Sequence, residues 1–386
     1  MNAAAETSAA SNLAHVFAQY PFEVASANDV WLQDASGRRV LDLYGGHAVA
    51  ALGYGHPRWL AALEQQARSV AFQTNAVPME IRERAAHRLV QFAGLSLNQV
   101  FFINSGAEAN ENALRLAFKL TGRSEVVALE QGWHGRTAAA GAITWGAAEK
   151  WYGFPRTPFD AQWVSRSDVD VACAGITEKT AAVIIEPVQG VGGAYDIGQA
   201  MADALRRRCD ETGAVLIFDE VQSGMGRVGQ PFGANLYGVE PDILTTAKAL
   251  GAGFPVSALM YGDRVRPAVK LEGLGTTFGG GPMACAIVEA VVDILETENL
   301  LANVREVSDY VRATCQVGPV TGFQGAGFLL GLRTTRPAKE VRQALLARNI
   351  LTGTSGDPHI LRLLPPFTLR REHVDLLATA LAEIPA

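Results

Sequence analysis

Residues 243–251 read Ile243-Leu244-Thr245-Thr246-Ala247-Lys248-Ala249-Leu250-Gly251. The run Ile243-Leu244-Thr245-Thr246 suits a short buried strand, and the single charge of the stretch follows directly at its end. Upstream, residues 100–103, 125–129, 181–185 and 215–218 are apolar runs of the same kind, separated by amphipathic stretches such as the helical pattern over residues 110–120. This alternation predicts an α/β fold, a mostly parallel sheet with helices on both faces. In such sheets ligands gather beyond the carboxyl ends of the strands, so the residues that follow each run are the first functional candidates. Here they are polar: Asn104-Ser105-Gly106, Gly132-Trp133-His134, Glu186-Pro187, Asp219-Glu220 and Ala247-Lys248.

Three of these positions carry specific chemistry. Ser105-Gly106-Ala107-Glu108 opens a helical pattern, and amides exposed at a helix start suit a phosphate, although taken alone the stretch reads better as an ordinary serine cap with a flexible glycine. Asp219 ends an apolar run, where a carboxylate needs a cationic or proton-donating partner; a ring nitrogen and a core arginine both qualify. Lys248 has small and apolar neighbours on both sides, and desolvation of its amine lowers its pKa and frees it to attack a carbonyl. The other lysines stand in more polar helical or loop surroundings. A phosphate-binding helix start, a strand-end aspartate and a strand-end lysine together match the needs of pyridoxal phosphate (PLP), with the aspartate on the ring nitrogen and the lysine as covalent anchor.

The length of 386 residues exceeds one ordinary core, so a large domain with a smaller companion is expected. After Pro282 the texture changes to helical patterns over residues 283–296 and 303–314, then to a glycine-spaced strand pattern over 325–332. Residues 30–44 carry a hairpin signal with its turn at 34–37. The expected division is therefore residues 46–280 as the large domain, with 1–45 and 281–386 forming a small α+β domain. With 19% charged residues, a net charge of −6 and no basic run, a nucleic-acid or anionic-membrane footprint is not expected. Cys173, Cys209, Cys285 and Cys315 are scattered, without CxxC spacing, which reads as thiols of a reducing compartment and no structural metal. The Ala/Ser-rich opening lacks the features of a signal peptide, and no apolar run spans a bilayer, so a cytoplasmic location is expected.

Five stretches make the chain resemble the class III aminotransferases, and within them the acetylornithine and ornithine aminotransferase group. They are Asn104-Ser105-Gly106-Ala107-Glu108-Ala109-Asn110-Glu111, Trp133-His134-Gly135-Arg136-Thr137, Glu186-Pro187-Val188-Gln189-Gly190, Phe218-Asp219-Glu220-Val221-Gln222-Ser223-Gly224 and Ala247-Lys248-Ala249-Leu250-Gly251. The resemblance implies PLP fold type I and a homodimer with active sites at the subunit interface. It implies that Ser105, Gly106 and Ala107 form the phosphate site, and that Thr277 reaches the phosphate of the neighbouring subunit. Trp133 and Val221 would cover the two ring faces, Gln222 would meet the ring hydroxyl and Asp219 the ring nitrogen, while Lys248 would serve as anchor and then as base. Arg136 and Arg362 resemble the family's carboxylate-binding arginines, a role that suits a planar fork, and Glu186 falls on the substrate side. The reaction implied moves the ω-amino group of N-acetylornithine to 2-oxoglutarate by a ping-pong mechanism of the arginine-biosynthesis type.

Two positions depart from the family pattern on the donor side. Val191 stands where the family commonly has a glutamate that masks the second arginine, and Phe17 falls where counting back from Pro21 places a family tyrosine, with Tyr20 nearby but offset. Both remove polar groups, which points to a more apolar donor pocket or to an Arg362 that is permanently available. Free ornithine, succinylornithine and 4-aminobutyrate are the alternative donors, and a PLP mutase or racemase of the same fold is the alternative chemistry. The arginine pair favours transamination, because glutamate offers two carboxylates. A cofactor-binding regulator would need a DNA-binding module for which there is no basic segment, and the glycines of 273–281 lack the strand-GxGxxG-helix order of a dinucleotide site.

Overall fold

The computed structural model describes residues 12–386; the opening read above for a leader lies, up to residue 11, outside them. Its centre is a seven-stranded sheet in the order Gln99–Ile103, Ser257–Tyr261, Ile243–Thr246, Val215–Asp219, Thr180–Ile185, Glu125–Leu129, Asp160–Val164. All neighbours pair in parallel except Ser257–Tyr261, which runs antiparallel to both of its partners. The strand pleat divides the apolar residues between two cores. Leu216 and Phe218 enter the core on one face with Val183, Ile185 and Leu244, whereas Val215 and Ile217 enter the other with Ala182, Ile184 and Ile243. Helices cover both faces, so these strands read as continuous apolar runs.

The expected runs are strands, within a residue or two of the expected ends. Two further strands gave no such signal. Asp160–Val164 is an edge strand with only alternating burial, and Ser257–Tyr261 follows the turn that leaves Lys248. The helical patterns after residue 282 are Pro282–Thr297 and Leu300–Thr314, the first packed on the helices Pro57–Ser69 and Glu80–Ala93. The pattern over 325–332 is not one strand but a hairpin, Val320–Ala326 with Leu329–Thr334. Gly327 makes the turn with φ +50°, and a Cβ there would lie 2.5 Å from the Arg227 carbonyl oxygen.

Trp31–Gln33 and Arg39–Asp42 form the antiparallel hairpin expected from residues 30–44, with Asp34 Oδ1 accepting the amides of Ser36 and Arg38 in its turn. The hairpin is extended by Ile350–Leu351, which pairs in parallel with Leu41 and Asp42, so the two ends of the chain share one sheet. A second small sheet contains Ile360–Leu363 and carries Arg362 between Gly331 and Gly353. No helix among the described residues is long and apolar enough to cross a membrane.

Candidate active site

A cavity of about 380 Å³ opens beyond the carboxyl ends of the central strands, within the size range of small-molecule sites. Its walls include Ser105, Gly106, Ala107, Trp133, Glu186, Val191, Asp219, Val221, Gln222 and Lys248. Ten of the fourteen site residues expected from the sequence therefore meet in one place.

Gly106–Thr121 is the helix that closes one side. Ser105 caps it: its Oγ accepts from Glu108 N at 3.2 Å while Glu108 Oε2 accepts from Ser105 N at 2.8 Å. This reciprocal cap leaves the amides of Gly106 and Ala107 without an acceptor among the described residues, at the positive end of the helix. Gly106 also lets Val221 approach, since a Cβ at residue 106 would lie 2.7 Å from Val221 Cγ1.

Asp219 ends the central strand and is 3% exposed. Its Oδ2 accepts from Asn110 Nδ2 at 2.7 Å and from His134 Nδ1 at 2.8 Å, and its Oδ1 accepts from Val221 N at 3.1 Å. Asn110 is held in turn by Thr245 Oγ1 at 2.6 Å and donates to the His134 carbonyl at 2.8 Å. The carboxylate is thus fixed by three donors while Oδ1 keeps acceptor capacity. His134 spends its Nδ1 proton on Asp219, and its buried Nε2 has no partner among the described residues.

Lys248 begins a short 3₁₀ turn, Lys248–Leu250, with φ +45°, a left-handed backbone that a side chain adopts at some cost and that re-aims it at the strand end. Its amine makes no hydrogen bond or ion pair among the described residues. Burial pushes its pKa below the ordinary lysine value; Asp219 and Glu186 act against that shift, and Arg362 and Arg227 add to it. Glu186 joins two wall loops, accepting from Trp133 N at 2.8 Å and Gly190 N at 2.9 Å, and burial pushes its carboxyl above the usual range.

Arg362 stands behind Gln222. It is 5% exposed and forms no ion pair among the described residues. Nε donates to the Thr354 carbonyl at 2.7 Å; the terminal amines have only long contacts with neutral acceptors, Gln222 Oε1 at 3.5 Å and Tyr44 Oη at 3.4 Å. Arg136 is exposed and lies over the rings of Trp133 and Trp151, 5.3 and 4.7 Å from their centroids, also without a carboxylate partner among the described residues. Arg136 and Arg362 thus approach the cavity through Trp133 and Gln222, two of its wall residues, each without a carboxylate partner among the described residues.

Arg136, Arg362, Phe17 and Thr277 are not among the cavity's walls. Phe17 is 74% exposed, whereas Tyr20 is half-buried and donates to the Thr352 carbonyl at 3.1 Å. Thr277 is exposed. The functional roles of Asn110 and His134 were not read from the sequence, although both residues lie inside the quoted motifs. Tyr44 gave no signal beyond closing the hairpin, and His47, just past it, gave none.

A family model described as aminotransferase class-III matches residues 13–384. The chain belongs to the class-III aminotransferases. An acetylornithine aminotransferase of Streptomyces coelicolor is 40% identical over 358 residues, covering 92% of this chain and 88% of the relative. The acetylornithine aminotransferase of Methanocaldococcus jannaschii is 34% identical over 384 residues, covering 96% and 94%. Among solved structures, an ornithine aminotransferase of Toxoplasma gondii, with PLP partially occupying its active site, superposes with a TM-score of 0.89 at 25% identity, covering 96% of this chain and 91% of that one. The strand-end lysine and aspartate of this aminotransferase therefore lie in the α/β architecture that fold type I implies.

Proposed function

We propose that this aminotransferase works with PLP and moves the ω-amino group of N-acetylornithine to 2-oxoglutarate, giving the semialdehyde and glutamate. The observation that carries the reading is the set of groups in or beside one cavity that lack partners among the described residues: the Lys248 amine and the Gly106 and Ala107 amides in its wall, with Arg136 and Arg362, which form no ion pair, next to wall residues Trp133 and Gln222. Their chemistry fits PLP, an anionic phosphate at the helix start and a cationic ring nitrogen at Asp219. The choice of N-acetylornithine rests on what the relatives from S. coelicolor and M. jannaschii are named for.

When bound, PLP supplies the electron sink that makes the proton on the donor's amine-bearing carbon removable. Gly106 and Ala107 receive the phosphate, with Ser105 holding the helix start in place. Asp219, braced by Asn110 and His134, keeps a proton on the ring nitrogen. Trp133 and Val221 would cover the ring faces, and Gln222 would meet the ring hydroxyl. Lys248 would hold the cofactor, and its Nζ, when free, would be the base that takes the proton from the donor's amine-bearing carbon. Glu186 fixes the loops on the substrate side, and Val191 leaves that side apolar. In the second half-reaction Arg136 and Arg362 hold the two carboxylates of 2-oxoglutarate while Lys248 moves the proton back.

The functional unit in this reading is a homodimer in which Thr277 completes the partner's phosphate site. Its exposed position beside Phe278, 68% exposed, and Leu271, 96% exposed, supports a covered surface there. The test is steady-state turnover with 2-oxoglutarate and each of N-acetylornithine, ornithine, succinylornithine and 4-aminobutyrate. The reading expects the highest kcat/KM with N-acetylornithine and parallel double-reciprocal lines. A preference for another donor overturns the substrate, and intersecting lines overturn the ping-pong order.

A further inference from the structure

Residues 45–48 form an unusual stretch of backbone behind Arg362. Gly45, Gly46, His47 and Ala48 all have φ between +55° and +70°, and His47 and Ala48 have side chains that disfavour this region. The stretch is clamped at both ends. Asp42 Oδ1 accepts from Tyr44 N at 2.8 Å and Gly45 N at 2.9 Å, and Arg227 Nη2 donates to the Ala48 carbonyl at 3.3 Å. Backbone strain held this firmly serves to place something. What it places is the His47 ring, whose Nδ1 lies 2.7 Å from Tyr44 Oη, the same oxygen that faces Arg362 Nη2 at 3.4 Å.

We propose that His47 is a positioning residue that, by accepting the Tyr44 hydroxyl proton, turns the Tyr44 oxygen toward Arg362 and holds that guanidinium in line for a substrate carboxylate without neutralising it. The inference rests on the reading of Arg362 as a carboxylate site. A neutral imidazole accepts at Nδ1, so the tyrosine proton points to His47 and an oxygen lone pair remains for Arg362. An acid in place of this relay would cancel the charge that a substrate needs; Tyr44 and His47 orient it and leave it whole. Burial keeps Tyr44 protonated by raising its pKa. Desolvation, with the positive charges of Arg362 and Lys248, lowers the pKa of His47, which favours the neutral ring that accepts at Nδ1.

The test compares His47→Gly, His47→Asn and Tyr44→Phe in the cofactor-loaded enzyme. Glycine relieves the backbone and removes the acceptor; asparagine tolerates the left-handed backbone and restores an acceptor. Loss of one neutral orienting hydrogen bond is expected to raise the KM for 2-oxoglutarate, and the Kd for the unreactive analogue glutarate by calorimetry, about five-fold, equivalent to about 1 kcal/mol. His47→Gly and Tyr44→Phe should each give that change with kcat within about two-fold, their combination should be no worse than either, and His47→Asn should stay near the parent. In acid, as His47 takes a proton, the parent's Kd for glutarate should weaken, and that weakening should be absent in His47→Asn. An unchanged glutarate Kd in His47→Gly, or multiplying effects of His47→Gly and Tyr44→Phe, overturns the proposal. If the parent makes no glutamate from 2-oxoglutarate, the transaminase reading fails by itself, and the glutarate arm still decides the role of His47.

Discussion

Adding one methyl group at Gly106 tests whether the helix start and the ring-face residue are built as one surface. A Cβ at this position would lie 2.7 Å from Val221 Cγ1 and 2.8 Å from Cγ2. Carbon atoms prefer about 3.5–4.0 Å, so the overlap is about 1 Å with both methyl groups, and rotating Val221 brings one or the other back into the gap. Val221 cannot withdraw freely, because its amide is bonded to Asp219 Oδ1 at 3.1 Å. The φ of Gly106 lies outside the left-handed range, so Gly106→Ala imposes steric strain with no added backbone cost. Overpacking of this size costs about 1–3 kcal/mol. Relief must move either the Gly106 amide or Val221, both of them proposed cofactor contacts, so the PLP Kd should rise roughly five- to 150-fold. Fluorescence titration of the cofactor-free protein with PLP measures it. Val221→Ala removes both methyl groups, and Gly106→Ala/Val221→Ala should bind PLP within about three-fold of Val221→Ala alone. Wild-type affinity in Gly106→Ala, or a double variant in which the two losses multiply, would refute the reasoning.

Glu220 is wholly buried, bonded to Ser223 Oγ at 2.6 Å and Ala234 N at 2.8 Å, and burial pushes its pKa from 4.5 to about 7. The folded protein holds that proton more tightly than the unfolded chain, a contribution of about 3 kcal/mol that is complete below about pH 4.5 and lost as pH rises through 7. Glu220→Gln escapes the loss, so its melting temperature relative to the parent should be about 4 °C more favourable at pH 8.5 than at pH 4.5; a pH-independent difference would contradict this. Val191→Glu offers Arg362 a carboxylate, and kcat/KM for glutamate should fall relative to that for N-acetylornithine, an unchanged ratio counting against an open Arg362. Arg136→Lys loses the planar stack between Trp133 and Trp151, so the KM for 2-oxoglutarate should rise about ten-fold with less change in kcat.

The sheet was legible because its strands are buried on both faces and so read as apolar runs. The same physics hid Asp160–Val164, whose alternating edge burial leaves no run, and hid the reversal of Ser257–Tyr261, since strand direction leaves no mark on composition. Lys248 and Asp219 could be read because a charge at the end of an apolar run needs a reason. The brace of Asn110 and His134 around Asp219 could not, because it joins residues 85 and 109 positions away through side-chain geometry alone. Counting from Pro21 selected Phe17, which is 74% exposed, whereas Tyr20 is the half-buried one of the two and donates to the Thr352 carbonyl. His47 was silent for a similar reason: its place depends on four consecutive left-handed residues, which sequence period does not encode.

The central claim is that Lys248, in this cavity, carries an amino-transfer reaction. The most direct measurement is a single half-reaction: glutamate is added to the PLP-loaded protein without a second substrate, and the cofactor absorbance and the 2-oxoglutarate formed are followed for the parent and for Lys248→Ala. The account predicts about one 2-oxoglutarate per active site in the parent, with the matching absorbance change, and a rate at least about a thousand-fold lower in Lys248→Ala, of the order expected when a positioned base is removed. Absence of 2-oxoglutarate in the parent, or an equal rate in Lys248→Ala, would contradict it.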